Sequence, residues 1–315
     1  MLGSYVTEFL VAAGACVRVA DNLSRGSTEF IQSVLDSVEF RKENLLDLKA
    51  CRHVCEGQEI VMNLAAKVSG IEYNCAHQRE MFEVNLLLQR NVIHAAADAG
   101  VKRFLQVSTA CVYPRDALIP TPESEGFRGS PDPANEGYGW AKRMGEQLAC
   151  YYTRETSMEC VIARPFNAYG PRDNFDETKS HVIPALILRI LQGDDPVIIW
   201  GSGEQKRVFI HARDIAQGMI LLTEKAPPAE PVHVGHDQMI SIKELFKVIC
   251  QVLDRFPQPF FDRSKPEGYI ARSADPTKLR AITGFSPSTP LVDGIREVAE
   301  WLQVSKPHPL QNLKF

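Results

Sequence analysis

Two segments of the chain carry side chains that could transfer protons. A Tyr-x-x-x-Lys pattern joins Tyr138 to Lys142, and in a helix these residues would lie one turn apart on the same face. An ammonium beside a phenol favours the ionised phenol, so Tyr138 could exchange a proton near neutral pH. The apolar run 103–108 predicts a buried strand with Thr109 and Cys111 at its carboxyl end, where open α/β sheets bind ligands. These four side chains are therefore expected to converge on one crevice.

Both segments are open to plainer interpretations. A Tyr-x-x-x-Lys pattern by itself also fits a pair of residues on the surface of a helix, and only the strand before it favours a site. Cys51, His53 and Cys55 could suggest zinc, but no second pair of ligands has the spacing of a metal site. We therefore predict no metal site.

The amino-terminal residues predict half of a dinucleotide-binding unit. A helix is expected from Gly3 to Gly14, followed by a buried strand at 16–20 with Asp21 at its tip. In a βαβ unit of this kind, the acid hydrogen-bonds the adenosine ribose. No strand precedes Gly3, and only the last glycine of a G-x-x-G-x-x-G turn is present. We therefore expect a sheet that lacks its first strand in this chain, through a late-assigned start or through truncation.

Apolar segments and helical patterns alternate through the first half of the chain. The predicted elements after residue 20 are strands at 38–45, 59–66, 103–108 and 160–165 and helices at 79–99 and from Tyr138 onward. Such alternation is typical of an α/β fold with a parallel, doubly wound sheet of the Rossmann type. The first domain is predicted to span residues 1–168.

The alternation becomes less regular beyond Tyr169. A loop rich in Pro, Gly and Asp is followed by helices at 182–191 and 241–253 and a strand at 197–200. We interpret residues 169–315 as a smaller lobe that binds the substrate and returns some segments to the main sheet.

Composition excludes several classes of protein. The 315 residues are 44% hydrophobic and carry a net charge of −4, with no basic stripe that would indicate nucleic-acid binding. No run of about 18 apolar residues indicates a membrane span, and the amino terminus lacks the pattern of a signal peptide. The eight cysteines are scattered, as buried thiols are in a reducing compartment. We expect a cytoplasmic protein that binds neither membranes nor nucleic acid.

Five ordered segments carry a resemblance to a known family. They are 65–71 (AAKVSGI), 108–114 (STACVYP), 167–175 (NAYGPRDNF), 180–186 (SHVIPAL) and 200–211 (WGSGEQKRVFIH). Together they resemble the extended short-chain dehydrogenase/reductase family, in the NAD-dependent epimerase/dehydratase group that acts on nucleotide sugars. Within that group, the chain is most similar to enzymes that epimerise and reduce GDP-linked sugars.

The resemblance implies catalytic roles for five residues. Tyr138 would protonate the sugar oxygen at C4 during reduction, Lys142 would lower its pKa and hold the nicotinamide ribose, and Thr109 would hydrogen-bond the same oxygen. Cys111 and His181 would move protons at C3 and C5, where a C4 ketone acidifies the hydrogens. A thiol and an imidazole both titrate close enough to neutrality for this task. The alternative is that Cys111 is a small packed residue and His181 a capped loop residue.

The resemblance also implies a cofactor. The residues assigned to it are Gly3, Asp21, Asn22, Asp47, Leu48, Ala65 and Lys142. Reductases of this group prefer NADPH, but an Asp at position 21 favours the ribose diol of NAD and repels a 2′-phosphate. Arg25 could compensate, so NAD is expected and NADP is possible.

The nucleotide-sugar substrate is expected to bind the second lobe. The residues assigned to it are Asn167, Arg189, Trp200, Arg207 and Arg272. Arginine is suited to this role because its guanidinium can make bidentate contacts with phosphate. Dehydratases of the family carry an Asp-Glu pair where this chain has Ala110 and Cys111. Dehydration is therefore not expected.

Three functions are compatible with these features. The first is 3,5-epimerisation of a GDP-4-keto-6-deoxyhexose with reduction at C4 by NAD(P)H. The second is redox-neutral epimerisation of a GDP- or UDP-hexose with bound NAD. The third is a non-catalytic remnant, because the first strand is expected to be missing. We also expect a homodimer through the helices at 79–99 and 138–156, which carry apolar residues on more than one face.

Overall fold

The computed structural model describes residues 1–175, 180–265 and 268–305. Its α-helices are α1 (Leu2–Ala12), α2 (Leu48–Cys55), α3 (Ile71–Ala76), α4 (Gln78–Asp98), α5 (Glu136–Glu155), α6 (Val182–Gln192), α7 (Ala212–Lys225), α8 (Ile242–Leu253), α9 (Thr277–Thr283) and α10 (Leu291–Ser305). Its strands are β1 (Val17–Asp21), β2 (Val38–Lys42), β3 (Ile60–Asn63), β4 (Arg103–Val107), β5 (Glu159–Pro165), β6 (Ala168–Tyr169), β7 (Val197–Trp200), β8 (Lys206–Arg207), β9 (Ile210–His211), β10 (Pro231–Val234), β11 (Ile240–Ser241) and β12 (Pro259–Asp262). Within the described ranges, no helix is both long and apolar enough to cross a membrane.

The main sheet has four parallel strands in the order β10-β5-β4-β3. Successive residues of β4 and β5 point to opposite faces and are buried on both. Phe104 and Cys160 lie in one apolar cluster, and their neighbours Leu105 and Val161 lie in another. Strands that are nearly continuous in apolar residues are typical of parallel sheets covered on both faces.

Helices cover both faces of this sheet. Helices α1 and α7 pack together on one face, where the cluster includes Val6 and Met219. Helices α2, α4 and α5 pack on the other face, where it includes Cys51 and Ile93. The predicted doubly wound α/β fold is therefore confirmed.

A channel divides the sheet. Strand β1 pairs with β2, and among the described residues no ladder joins this pair to β3. Residues 17–21 and 59–63 line one cavity along the full length of both strands. As a result, every residue of β1 is only partly buried, and Ile60 of β3 is 53% exposed. The expectation of an absent first strand concerns the start of the chain and stays a prediction.

The second half of the chain builds its own core and also returns to the sheet. Helices α6, α8 and α10 and strand β7 share an apolar cluster that includes Ile187, Leu245 and Ile295. Strand β10 extends the main sheet beside β5, and α7 covers it. The division into 1–168 and 169–315 stays a prediction.

Predicted and observed boundaries differ where polar side chains start turns. The strand predicted at 38–45 ends at Lys42, because the side chain of Asn44 accepts a hydrogen bond from the Leu46 amide at 3.1 Å and the chain turns there. The strand predicted at 59–66 ends at Asn63, after which the chain enters the cavity wall.

The channel predicts uneven hydrogen exchange. Amides of β1 and β3 that face the channel should exchange roughly 10²-fold faster or more than those of β4, which is paired on both sides. Native-state exchange followed by NMR or mass spectrometry measures this difference. Equal protection of β3 and β4 would show that the channel is closed in solution.

Candidate active site

The ends of neighbouring strands meet in one cavity of about 2460 Å³. Asp21 ends β1, Asn63 ends β3, Thr109 follows β4 and Asn167 follows β5, and all four line this cavity. This is the place where open α/β sheets bind ligands, because the carboxyl ends of parallel strands share one edge. The cavity is larger than a pocket for a small ligand alone because it includes the channel between β1 and β3.

Helix α5 presents Tyr138 and Lys142 to the cavity from one face, as the four-residue spacing predicts. The Lys142 ammonium donates a hydrogen bond to the carbonyl oxygen of Val107 at 2.8 Å and lies 5.8 Å from the centre of the Tyr138 ring. The Thr109 hydroxyl accepts a hydrogen bond from the Cys111 backbone N–H at 3.2 Å, and Thr109, Cys111 and Tyr138 line the same cavity. The structure thus brings together the four side chains that the sequence predicts to converge.

The protonation of this group differs from the expectation. Burial raises the pKa of Tyr138 above its usual value, and the nearby Cys111 adds to this effect. Burial also lowers the pKa of Lys142 to about 8, although Glu146 and Cys111 act in the opposite direction. The expected lowering of the Tyr138 pKa by Lys142 is therefore wrong for this structure, because desolvation of the phenol dominates and the ammonium is directed at Val107.

A buried ion pair holds α5 against the sheet, and sequence reasoning missed it. Arg164 of β5 donates to both carboxylate oxygens of Glu146 at 2.8 and 2.6 Å, and the Ser108 hydroxyl donates to the same carboxylate. The side chains of Arg164 and Glu146 are 1% and 3% exposed. Glu146 lies one turn beyond Lys142, so this pair fixes the height of the catalytic face of α5 above the strand ends.

Cys111 and His181 both line the cavity. Cys111 lies in a 3-10 turn that the Thr109 side chain caps, and its amide donates to Thr109 Oγ1 at 3.2 Å. Burial raises the pKa of the Cys111 thiol, so the thiol is its resting form. His181 is the residue at which α6 begins, and its Nδ1 lies 3.7 Å from Oδ2 of Asp173.

Five of the residues predicted to bind the cofactor line the cavity. They are Gly3, Asp21 and Asn22 at β1 and the helix before it, Ala65 after β3, and Lys142 on α5. Gly3 lies in the first turn of α1, where free backbone N–H groups favour anions. Asn63 is only 4% exposed and borders the cavity, yet neither polar atom of its side chain has a hydrogen-bond partner among the described residues. The part of the cavity lined by these residues therefore fits a polar dinucleotide.

Asp47 and Leu48 were also predicted to bind the cofactor, and the structure contradicts this. Neither residue borders the cavity. The Asp47 carboxylate caps α2 by accepting a hydrogen bond from the Lys49 amide at 2.8 Å, and Leu48 packs against the core under that helix. The backbone of 44–46 lines the cavity instead.

The residues predicted to bind the substrate line the same cavity, with one exception. The four that line it are Asn167, Arg189, Trp200 and Arg207. Backbone contacts position two of them: Asn167 donates to the Val208 carbonyl at 2.8 Å and Arg189 to the Ile198 carbonyl at 2.6 Å. Arg207 stacks on the ring of Tyr269 at 3.9 Å, and sequence reasoning missed this aromatic residue.

Arg272 is the exception, and the prediction that it binds substrate is wrong for this structure. It is 1% exposed and does not border the cavity. Its guanidinium donates to the carbonyls of Ala110 at 3.2 Å and Pro114 at 2.5 Å, and it stacks on the other face of Tyr269 at 4.0 Å. Arg272 therefore fixes the loop that carries Cys111.

Comparisons with known proteins agree with this geometry. The model of the NAD dependent epimerase/dehydratase family matches residues 1–235. The chain is 35% identical over 245 residues to GDP-L-fucose synthase 1 of Arabidopsis thaliana, covering 76% of each chain. It is 33% identical over 292 residues to GDP-L-fucose synthase of Escherichia coli, covering 88% of this chain and 89% of that protein.

A solved structure shows the same fold. The UDP-glucose 4-epimerase of Thermotoga maritima, crystallised with UDP-glucose, superposes with a TM-score of 0.88 at 24% identity, covering 97% of this chain and 96% of that one. The family model matches more than half of the chain, and relatives above 30% identity span most of it. The chain therefore belongs to the NAD-dependent epimerase/dehydratase family.

Proposed function

We propose that this protein is a nucleotide-sugar epimerase/reductase that converts a GDP-4-keto-6-deoxyhexose by 3,5-epimerisation and reduction at C4. The observation that carries the proposal is that the predicted catalytic residues line one cavity: Thr109, Cys111, Tyr138, Lys142 and His181. The relatives named GDP-L-fucose synthase support the choice of a GDP-linked sugar.

NAD is the proposed cofactor, with NADP as the alternative. When bound, it would supply hydride to the sugar carbon C4. Asp21 would hydrogen-bond the ribose, the start of α1 at Gly3 would face the pyrophosphate, and Lys142 would hold the nicotinamide ribose. Arg25 donates to the Val68 carbonyl at 2.7 Å and lies 3.8 Å from Asp173. These contacts engage Arg25 within the protein, and Asp21 favours the ribose diol of NAD.

The phenol of Tyr138 acts as a proton donor in this proposal. Because its pKa is raised, the group stays protonated at neutral pH and can protonate an oxygen at C4. Thr109, which lines the same cavity, would hydrogen-bond the same oxygen. Lys142 carries a positive charge below its pKa of about 8 and would hold the nicotinamide ribose beside the phenol.

Cys111 and His181 would transfer protons at C3 and C5. Inversion at a carbon needs a base on one face and an acid on the other, and these side chains approach the cavity from different elements. Dehydration is not proposed, because Ala110 is an apolar residue, 6% exposed, where the dehydratases carry an acid.

A redox-neutral epimerase is the second candidate. The observation that favours it is the position of Asp21 at the cavity together with the engaged Arg25, since an enzyme that retains NAD needs no NADPH. Consumption of NAD(P)H with a GDP-4-keto-6-deoxyhexose distinguishes the two candidates.

We further propose a cytoplasmic homodimer. Helices α4 and α5 pack side by side, and Leu87 on α4 and Tyr151 on α5 are 42% and 43% exposed. Met81 on α4 is fully buried in the monomer, so it does not contribute to this surface. The location is supported by the eight cysteines, none of which forms a disulfide.

Replacing Tyr138 by Phe should separate the two half-reactions. Reduction at C4 is expected to fall by about 10² or more, because the proton donor is lost. Proton exchange at C3 and C5 should survive. Cys111→Ala should do the reverse and stop the uptake of deuterium.

The measurement follows deuterium uptake from D₂O and NAD(P)H absorbance with a GDP-4-keto-6-deoxyhexose. Cys150→Ala, which changes a cysteine remote from the cavity, is the matched control. Normal reduction by Tyr138→Phe, or exchange at the wild-type rate by Cys111→Ala, would contradict the assignment of these residues.

Lys142 should give the stability a characteristic pH dependence. The ordinary pKa of 10.5 applies to the unfolded chain, so between about pH 8 and 10.5 the unfolded state binds more protons than the folded state. The free energy of unfolding of the wild type should therefore rise through this window, relative to Lys142→Met, by about 3 kcal/mol. Urea titrations from pH 7 to 10 measure it, with the exposed Lys243→Met as control. A flat difference would show that Lys142 is not desolvated.

The dimer can be tested through Leu87 and Tyr151. The double variant Leu87→Lys, Tyr151→Lys should be monomeric by light scattering at micromolar concentration, because buried ammonium groups oppose association. The exposed Ile198 lies elsewhere, so Ile198→Lys should remain dimeric. A monomeric wild type would refute the dimer.

A further inference from the structure

Asp173 is a buried carboxylate at the cavity to which the proposed function assigns no task. Its side chain is 2% exposed, and it follows β6 in the loop that leads into the second lobe. One of its oxygens is fixed locally, because Oδ1 accepts a hydrogen bond from the backbone N–H of Asn174 at 2.7 Å. The other oxygen, Oδ2, has no hydrogen-bond partner among the described residues.

Two side chains face this carboxylate. The Arg25 guanidinium lies 3.8 Å from Oδ1, and His181 Nδ1 lies 3.7 Å from Oδ2. Burial alone would raise the pKa of Asp173. The interactions with His181, the Asn174 amide and Arg25 together outweigh burial, so the pKa is lowered below its usual value. Asp173 is therefore a carboxylate, and its Oδ2 lies beside the His181 imidazole.

The orientation of His181 complements this arrangement. Its side chain is 40% exposed, yet its Nδ1 atom is buried and has no hydrogen-bond partner in the described ranges. The exposed part of the ring is therefore the edge that carries Nε2. Because His181 lines the cavity, this edge faces the space that the sugar would occupy.

We propose that Asp173 is a positioning residue that holds His181 with a proton on Nδ1, so that Nε2 is the atom that exchanges protons with the substrate. The proposal rests on the proposed function for the role of His181 but not for its tautomer. A neutral imidazole carries one proton, and the hydrogen bond made by one ring nitrogen decides which nitrogen is free. A carboxylate that accepts from one nitrogen also stabilises the imidazolium that forms when the other takes up a proton.

The structure makes Asp173→Asn a sharp test. The Asn174 amide must still donate to an acceptor, so the amide oxygen of the new side chain would occupy the position of Oδ1. Its NH₂ group would then face His181 and donate to Nδ1, which moves the ring proton to Nε2. Asp173→Ala leaves Nδ1 without a partner and does not impose this tautomer. The Asn variant should therefore be more impaired than the Ala variant, an order that a loss of packing would not produce.

The tautomer of His181 can be measured without an activity assay. Long-range ¹H–¹⁵N spectra of the protein labelled at its eight histidines distinguish the two ring nitrogens, and His181→Gln assigns the signal. We expect the Nδ1–H form in the wild type and the Nε2–H form in Asp173→Asn. The same tautomer in both proteins would overturn the proposal.

Activity then connects the tautomer to the reaction. Deuterium exchange into a GDP-4-keto-6-deoxyhexose should fall by about 10² or more in Asp173→Asn and by less in Asp173→Ala. Equal losses in both variants would overturn the positioning role. A switched tautomer with exchange at the wild-type rate would leave the positioning by Asp173 intact and would instead refute the proposed catalytic role of His181.

Discussion

The buried pair of Arg164 and Glu146 is the interaction on which the geometry of the site depends. It joins β5 to α5, and Ser108 extends it to the end of β4. Arg164 also donates to the Tyr113 hydroxyl at 2.8 Å and to the Glu123 carbonyl, so nearly all of its donors are used. Removing one partner of such a pair typically costs about 3–5 kcal/mol, because the other charge stays buried without compensation. Because the pair of Arg164 and Glu146 is costly to break, α5 presents Tyr138 and Lys142 at a fixed distance from the strand ends.

Burial sets the protonation states around this anchor. Tyr138 and Cys111 are protonated at neutral pH, because burial raises the pKa of both groups. The pKa of Lys142, about 8, lies close to neutral pH. A site of this kind holds its protons until a substrate develops negative charge, and then releases them to the oxygen or carbon that needs them. Asp173 is the exception, because its interactions with His181, the Asn174 amide and Arg25 lower the pKa of its carboxyl group despite burial.

Much of the fold and of the site could be predicted from the sequence. Apolar runs followed by polar residues located β3, β4 and β5, and the Tyr-x-x-x-Lys spacing placed Tyr138 and Lys142 on one face. Local chemistry overrode the pattern at Asp47, which caps a helix. Arg272 was misjudged because an arginine that binds phosphate and one that binds backbone carbonyls look alike in sequence.

Other features could not be predicted because they depend on distant parts of the chain. The pairing of Glu146 with Arg164 joins residues 18 positions apart on different elements, and Tyr269 meets Arg207 only in the folded protein. Asn63 did carry a signal, since it is a polar residue that ends an apolar strand. The raised pKa of Tyr138 reflects its three-dimensional surroundings, which spacing along a helix does not describe.

The channel has a consequence for the thermodynamics of binding. Asp21 ends β1 on one side of it and Asn63 ends β3 on the other, and β1 and β3 share no ladder in the described part of the chain. A dinucleotide that touches both must fix their separation, so part of its binding free energy is consumed in ordering the protein. Substitutions that make either side of the channel more rigid would then increase the affinity for the dinucleotide without contacting it. By linkage, the ligand would also raise the melting temperature, because it bridges two strands that no backbone hydrogen bonds join in the described ranges.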